Sequence, residues 1–345
     1  MKSFFVFLGR YGVYFLIFLI PALATYSWFQ KNFLSPFDSK ATESVFFEVP
    51  KGATLNTIAD ELEKRGIIRW HYSMIYMSKL RSGGANRIIA GEYELSPSMT
   101  PTTVLDVLVS GKIVQHALTI PEGTTVADLP KLMVKTTLVT EEEAQQAIRD
   151  RSLLVQLSIP ALTPEGYIYP ETYNFSRPTK AQDMIIRIVE EGRKNLDLAL
   201  NGWKERASQL GYTPHQVLVL ASIIEKETGQ KGERDIISSV FHNRLRIDMP
   251  LQSDPTVIYG IADFNGNLTK EQLQTPGPYN TYLNKGLPPT PICNPGIESI
   301  KAALYPADTD YLYFVGKGNG AHYFSKTYKE HQRAVMTYQQ VPALR

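Results

Sequence analysis

A single cysteine, Cys293, stands in 345 residues, so no internal disulfide braces the chain and no second thiol offers a zinc site. The six histidines include no HExxH pair, which removes the commonest helical zinc motif and leaves metal chemistry without an obvious ligand set. A formal net charge of +2 is too small for the basic footprint with which a nucleic-acid binder neutralises phosphates. Apolar residues are not scarce. At 43% hydrophobic against 20% charged, the composition is globular and excludes disorder as the organising principle.

Charge is absent from one long stretch. From Tyr11 to Gln30 no residue is ionised, and roughly 20 apolar residues suffice to cross a bilayer as a helix. Lys2 and Arg10 precede the run, and Tyr11, Trp28 and Phe29 sit near its ends, as positive-inside and aromatic-belt preferences place them. The alternative is a cleaved signal peptide, since Ala22-Leu23-Ala24 resembles a cleavage site, but the run continues past it. Residues 1–30 are therefore expected to be a cytoplasmic N-terminus and transmembrane anchor in the cytoplasmic membrane, with everything after it outside the cytoplasm. Residues 31–44, rich in Asn, Ser, Pro and Asp, read as a linker.

Beyond the linker, Val45–Val49 has strand character, Pro50-Lys51-Gly52 makes a turn, and Leu55, Ile58, Ala59 and Leu62 recur at helical spacing behind Thr54, a capping residue. The phrase Val49-Pro-Lys-Gly-Ala-Thr54 returns as Ile120-Pro-Glu-Gly-Thr-Thr125, which points to two small strand-turn-helix units in succession. A strand over 88–95 and a helix over 102–110 complete the first. Helical spacing dominates 180–210 and again 214–229. After Met249 the texture turns to Pro, Gly, Asn and Tyr with one late strand, 311–315, and long loops of that kind usually carry a functional surface. The fold class is α+β: an anchor helix, a small module over 45–115, a second small unit or connector over 116–160, and a larger mixed domain over 161–340.

Thr213-Pro214 is a strong helix start, with Gly229 as the expected stop. At about 100° per residue, Glu227 falls among Leu220, Ile223 and Ile224 while Lys226 points away. A carboxyl on an apolar side near a helix C-terminus is pushed towards its neutral form, as a general acid requires. Glu225 lies on nearly the opposite side. The bland reading of Glu225-Lys-Glu227 is a solvated run at a helix end.

The neighbouring segments weigh against it. Ala221-Ser-Ile-Ile-Glu-Lys-Glu-Thr228, Asn243-Arg244-Leu245, Leu251–Gly260, Tyr279-Asn-Thr-Tyr282, Gly286-Leu-Pro-Pro289, Pro291-Ile-Cys-Asn-Pro-Gly296, Gly320–Ser325 and Glu330-His331, preceded by Glu165–Tyr173, together closely resemble the MltG-type (YceG-like) endolytic murein transglycosylases. Thr290 stands where a glycine is expected after the double proline. The resemblance implies Glu227 as the one catalytic glutamate, with Glu225 as the alternative assignment and Asp254 as an auxiliary or substrate-orienting group. It further implies that Glu165, Tyr173, Asn243, Gln252, Ser253, Tyr279, Asn280, Tyr282 and Asn294 contact the glycan, and that no cofactor or metal takes part. His322 and His331 are read as braces of the C-terminal segment. Residues 45–115 resemble a LysM-like module, whose family binds amino-sugar glycans. Expected partners are peptidoglycan glycan strands, the membrane, and penicillin-binding peptidoglycan synthases. A muramidase-type hydrolase and an inactive glycan-binding scaffold are the two alternative readings.

Overall fold

The computed structural model describes residues 17–82 and 88–339. Contacts divide the chain into two compact units, the first ending at His116 and including Ser176–Pro178, the second made of Ala117–Phe175 and Thr179–Arg345.

In the first unit, helix α1 (residues 17–29) runs into a π-helical turn, Gln30–Leu34. Among the described residues no helix is long and apolar enough to cross a membrane, and residues 1–16 of the expected anchor lie outside the described residues. The end of α1 is tied to the unit by aromatic contacts, Trp28 edge-on to Trp70 at 5.5 Å and Phe29 edge-on to Tyr76 at 5.8 Å.

Strands β1 (Val45–Val49) and β2 (Gly91–Leu95) pair antiparallel from Val45↔Leu95 to Val49↔Gly91. Period-two alternation buries Phe47 and Val49 while Phe46 faces water. Between the strands lie α2 (Leu55–Lys64) and α3 (His71–Ser82), and α4 (Pro101–Ser110) follows. Thr54 caps α2 as its sequence predicts, in a reciprocal box with Thr57. The expected strand over 88–95 begins three residues later than its hydrophobic pattern suggested.

The second unit, from Ala117, opens within strand β3 (His116–Thr119), which pairs with β4 (Thr172–Phe175). The repeated phrase has a physical basis: Gly52 and Gly123 both adopt a left-handed φ, +80° and +74°, and each turns the chain from a strand towards a helix. Helices α5 (Leu129–Val134), α6 (Glu141–Ile148) and α7 (Arg151–Gln156) then pack with α8 (Ala181–Ala199) around one core running from Leu118 to Val189. Buried residues of 118–159 share this core with Ile168 to Val189 from the segment after 161.

A second core of the same unit gathers α9 (Trp203–Gln209), α10 (Pro214–Glu227), α11 (Arg234–Arg246) and α14 (Ile297–Leu304), with the short α12 (Asp254–Tyr259) and α13 (Lys270–Gln274) in the intervening loops. Helix α10 is buried on every side from Val217 to Ile224. Two strands, β5 (Tyr313–Gly316) and β6 (His322–Ser325), close a hairpin before α15 (Tyr328–Tyr338). The periodicity showed only the first of them: β5 carries an apolar run, Tyr313-Phe-Val, whereas β6 mixes His322 and Ser325 with its aromatics.

Candidate active site

Helix α10 delivers Glu227. Thr213 and Gln216 form a reciprocal capping box at its start, and Pro214 occupies the first turn where its missing N–H costs nothing. Such a cap is worth about 1 kcal/mol. The helix ends at Glu227, not Gly229: Thr228 leaves helical geometry, and its N–H and hydroxyl both donate to the Ile224 carbonyl. Gly229 is needed for another reason, since a Cβ there would lie 2.4 Å from the Gly320 carbonyl oxygen.

Glu227 sits in the wall of a cavity of about 390 Å³. The residue is partly exposed, yet protein atoms crowded around its carboxyl strip it of water, and this desolvation pushes its pKa up to about 7. The Ser253 hydroxyl, donating to Glu227 Oε1 at 2.6 Å, pulls the other way. The charge of Asp254 raises the value and that of Arg244 lowers it.

The same cavity is lined by Arg244, Gln252, Asp254 and Tyr282. Arg244 is buried and spends its Nε on the Leu312 carbonyl and its Nη1 on the Leu251 carbonyl, at 2.7 and 2.8 Å. Its guanidinium also lies over the Tyr313 ring, 5.2 Å from the centroid. Tyr282 donates to Asp254 Oδ1 at 2.6 Å. Further lining comes from the C-terminal hairpin and α15, through Tyr313, Phe314, His322, Tyr328 and His331.

Several expected contacts lie elsewhere. Glu165 is buried in a separate knot, where its carboxylate accepts from the Val126 N–H, the Tyr259 hydroxyl and Asn294 Nδ2. Burial pushes its pKa up to about 7. Asn294, fully buried, accepts from the N–H groups of Gly166 and Ile168 and donates to the Thr124 carbonyl, so both residues stitch the domain together. Tyr173 is a core side chain whose hydroxyl donates to the Tyr169 carbonyl. Asn243 donates to the Thr309 and Tyr311 carbonyls, and Asn280 to those of Leu273 and Thr275; both hold loops in shape. Tyr279 packs edge-on against Tyr259 at 4.9 Å and bonds Thr290 Oγ1 at 2.7 Å, outside the cavity that holds Glu227. The threonine at 290 therefore serves as its hydrogen-bond partner.

Glu225 faces away from the cavity into a buried cluster with Arg234, Ser299 and the Gly296 N–H. His322 does brace its segment, since its backbone N–H and Nδ1 both meet the Glu233 carboxylate, but it and His331 also line the cavity. Of the cavity residues, the reading from the chain alone missed Arg244, Tyr313, Phe314 and Tyr328, among others. The signal for Arg244 was its place in the Asn243-Arg244-Leu245 motif; Tyr313 and Tyr328 carried none. Among the described residues no group of three or more His, Cys, Asp and Glu is placed to hold a metal ion.

The YceG-like family matches residues 47–337. A protein of Bacillus subtilis (strain 168) named endolytic murein transglycosylase is 32% identical over 324 residues, which take in 89% of this chain and 88% of its own length. A protein of the same name from Streptococcus pneumoniae (strain ATCC BAA-255 / R6) is 27% identical over 334 residues, 88% of this chain and 60% of that protein. The crystal structure of a yceG-like protein from Listeria monocytogenes superimposes with a TM-score of 0.58 at 33% identity, covering 85% of this chain and 99% of the other. With its fold, the order of its motifs and these likenesses in agreement, the chain belongs to the YceG-like family.

Proposed function

We propose that this protein is an endolytic lytic transglycosylase that cuts peptidoglycan glycan strands, with Glu227 as its single acid-base residue. The relatives' name supplies the reaction class. The observation that carries the residue assignment is a carboxyl held near neutrality at about pH 7, in the wall of a cavity, with a hydroxyl donor on one oxygen.

Protonated Glu227 donates to the glycosidic oxygen between N-acetylmuramic acid and N-acetylglucosamine. The bond from that oxygen to C1 of the muramic residue breaks, leaving an oxocarbenium-like centre. The muramic C6 hydroxyl then attacks C1, and its proton passes to the Glu227 carboxylate, which restores the acid. The product is a 1,6-anhydro end, and no water is consumed. Arg244 lies close enough to stabilise the carboxylate during its charged phase, and the ring faces of Tyr313 and Tyr328 offer apolar platforms for a pyranose.

Asp254, in the same cavity, keeps a second reading alive, in which it activates water and the enzyme is a muramidase. Its Oδ1 is engaged by Tyr282, which favours an orienting part. Mass spectrometry of products from purified murein separates the readings: anhydro ends mean transglycosylation and reducing ends hydrolysis. Loss of both with Glu227→Gln supports the assignment, and retained cleavage overturns it. In this reading the uncharged run from Tyr11 to Gln30 anchors the enzyme in the cytoplasmic membrane, the first unit serves as a LysM-like glycan-binding module outside the cytoplasm, and nascent strands beside the synthases are the substrate, with strand termination as the outcome.

A further inference from the structure

Ser253 carries the only hydroxyl that donates to Glu227 among the described bonds, so whatever fixes Ser253 fixes the acid. The turn that carries it is unusual. Gln252 holds a left-handed φ of +50° without being glycine, and its N–H donates to the Thr281 carbonyl at 3.0 Å. The Ser253 N–H donates to Thr281 Oγ1 at 3.0 Å. The Thr256 hydroxyl donates to the Ser253 carbonyl at 2.7 Å, and the two threonine hydroxyls lie 2.8 Å apart.

Counting protons settles the directions. A hydroxyl has one proton to give, and that of Thr256 goes to the Ser253 carbonyl. Thr281 must then donate to Thr256 Oγ1, while its own lone pairs receive the Ser253 N–H. The result is a closed ring of three hydrogen bonds, Ser253 to Thr281 to Thr256 and back to Ser253. It pins both polar groups of the Ser253 backbone and leaves its hydroxyl free to reach Glu227 Oε1. Thr256 and Thr281 are buried, at 0% and 2% exposure, so water has no access to replace either bond. The next residue along, Tyr282, holds Asp254 through its hydroxyl; residues 281 and 282 thus grip residues 253 and 254 in register.

We propose that Thr281 is a positioning residue for the reaction, which acts through the Ser253 backbone to keep a hydroxyl on Glu227 Oε1 and so directs the transferable proton to Oε2. This rests on Glu227 being the acid. The other charged and titratable groups lining the cavity with Glu227 are Arg244, Asp254, Tyr282, Tyr313, His322, Tyr328 and His331; Thr281→Val removes none of them, and Ser253→Ala separates the effect of the ring from any movement of the neighbouring Tyr282–Asp254 pair.

The test compares Thr281→Val, nearly the same in shape, with Thr281→Ser, which keeps the hydroxyl. Thr281→Val should lower kcat roughly tenfold or more with KM little changed, and move the alkaline limb of the pH–rate profile upward, because the carboxylate loses a donor. Thr281→Ser should restore both. In a Ser253→Ala background, Thr281→Val should shift the limb no further, since the two act through one bond. An unmoved limb in Thr281→Val, or a full additional shift in the double variant, overturns the proposal. If Thr281→Val does not fold, Thr256→Val opens the same ring from its other side; because the Thr256 N–H still donates to the Ser253 carbonyl at 3.2 Å, its shift should be upward but smaller, and an unmoved limb overturns the proposal. Glu227→Gln runs alongside: if that variant still cuts murein, the acid assignment itself fails, whereas a silent Thr281→Val beside an inactive Glu227→Gln sinks only the positioning role.

Discussion

Glu225 and Glu227, two residues apart on α10, have opposite fates: Glu225 is spent in a buried cluster with Arg234 and Ser299, while Glu227 opens on the cavity with Ser253 as its donor. The helix turns them to different sides, and only one keeps a proton-carrying oxygen free for a substrate.

Their glutamine variants should therefore part company. Glu227→Gln is expected to lose on the order of 10²- to 10⁴-fold or more in turnover, with an unchanged circular dichroism spectrum. Glu225→Gln should keep its chemistry and lose about 1–3 kcal/mol of stability, because buried Arg234 loses the nearer of its two carboxylates and keeps only Glu122, at 3.6 Å. Chemical denaturation and product release from murein, measured on both, check the pair.

The pH dependence follows from the same carboxyl. Glu227 must be protonated to act, so activity should fall as pH rises through about 7. Asp254 contributes a like charge that raises this value. Asp254→Asn should therefore move the alkaline limb to lower pH, and a limb that moves upward contradicts the electrostatic account.

Glu165 makes a prediction about stability alone. Its carboxyl, ordinarily near 4.5, is pushed up to about 7 in the folded chain by burial. The unfolded state then releases its proton first. Stability is undiminished below about pH 4.5, declines as pH rises from there through about 7 and is flat beyond, the total from this residue being on the order of 3 kcal/mol. Glu165→Gln keeps an acceptor for the Val126 N–H and removes the ionisation, so its denaturation midpoint should vary less between pH 5 and pH 8 than that of the parent.

Asn243 offers a control on what the cavity contains. Asn243→Ala leaves the Thr309 and Tyr311 carbonyls without their donor, which should cost about 1–3 kcal/mol. Thermal unfolding should report the loss, while KM for glycan strands stays near the parent value. A large KM change with unaltered stability would restore the residue to substrate contact.

These particulars show how far the chain could be read unaided. Helix α10, its Thr213-Pro214 start and the apolar side that holds Glu227 follow from 3.6-residue spacing, a short-range property. The turn at Pro50-Lys51-Gly52 and its echo at 120–125 were legible from local composition, and the left-handed φ of Gly52 and Gly123 explains them. What spacing does not carry is which polar side chain in a loop turns inward. Asn243, Asn280, Asn294 and Gln252 are all amides in motif-rich segments, yet three satisfy carbonyls or N–H groups of the fold and only Gln252 reaches the cavity. That sorting depends on partners as far as 170 residues away in the chain. The wall supplied by Tyr313 and Tyr328 escaped for the same reason, since neither lies near Glu227 in order along the chain.

The hairpin β5–β6 and α15 form the last described stretch, and they supply one side of the cavity. A polypeptide emerging from synthesis therefore presents its proton donor about a hundred residues before the surface that would cradle a sugar against it. A copy clipped before Tyr313 would keep Glu227 but lack that side of the cavity.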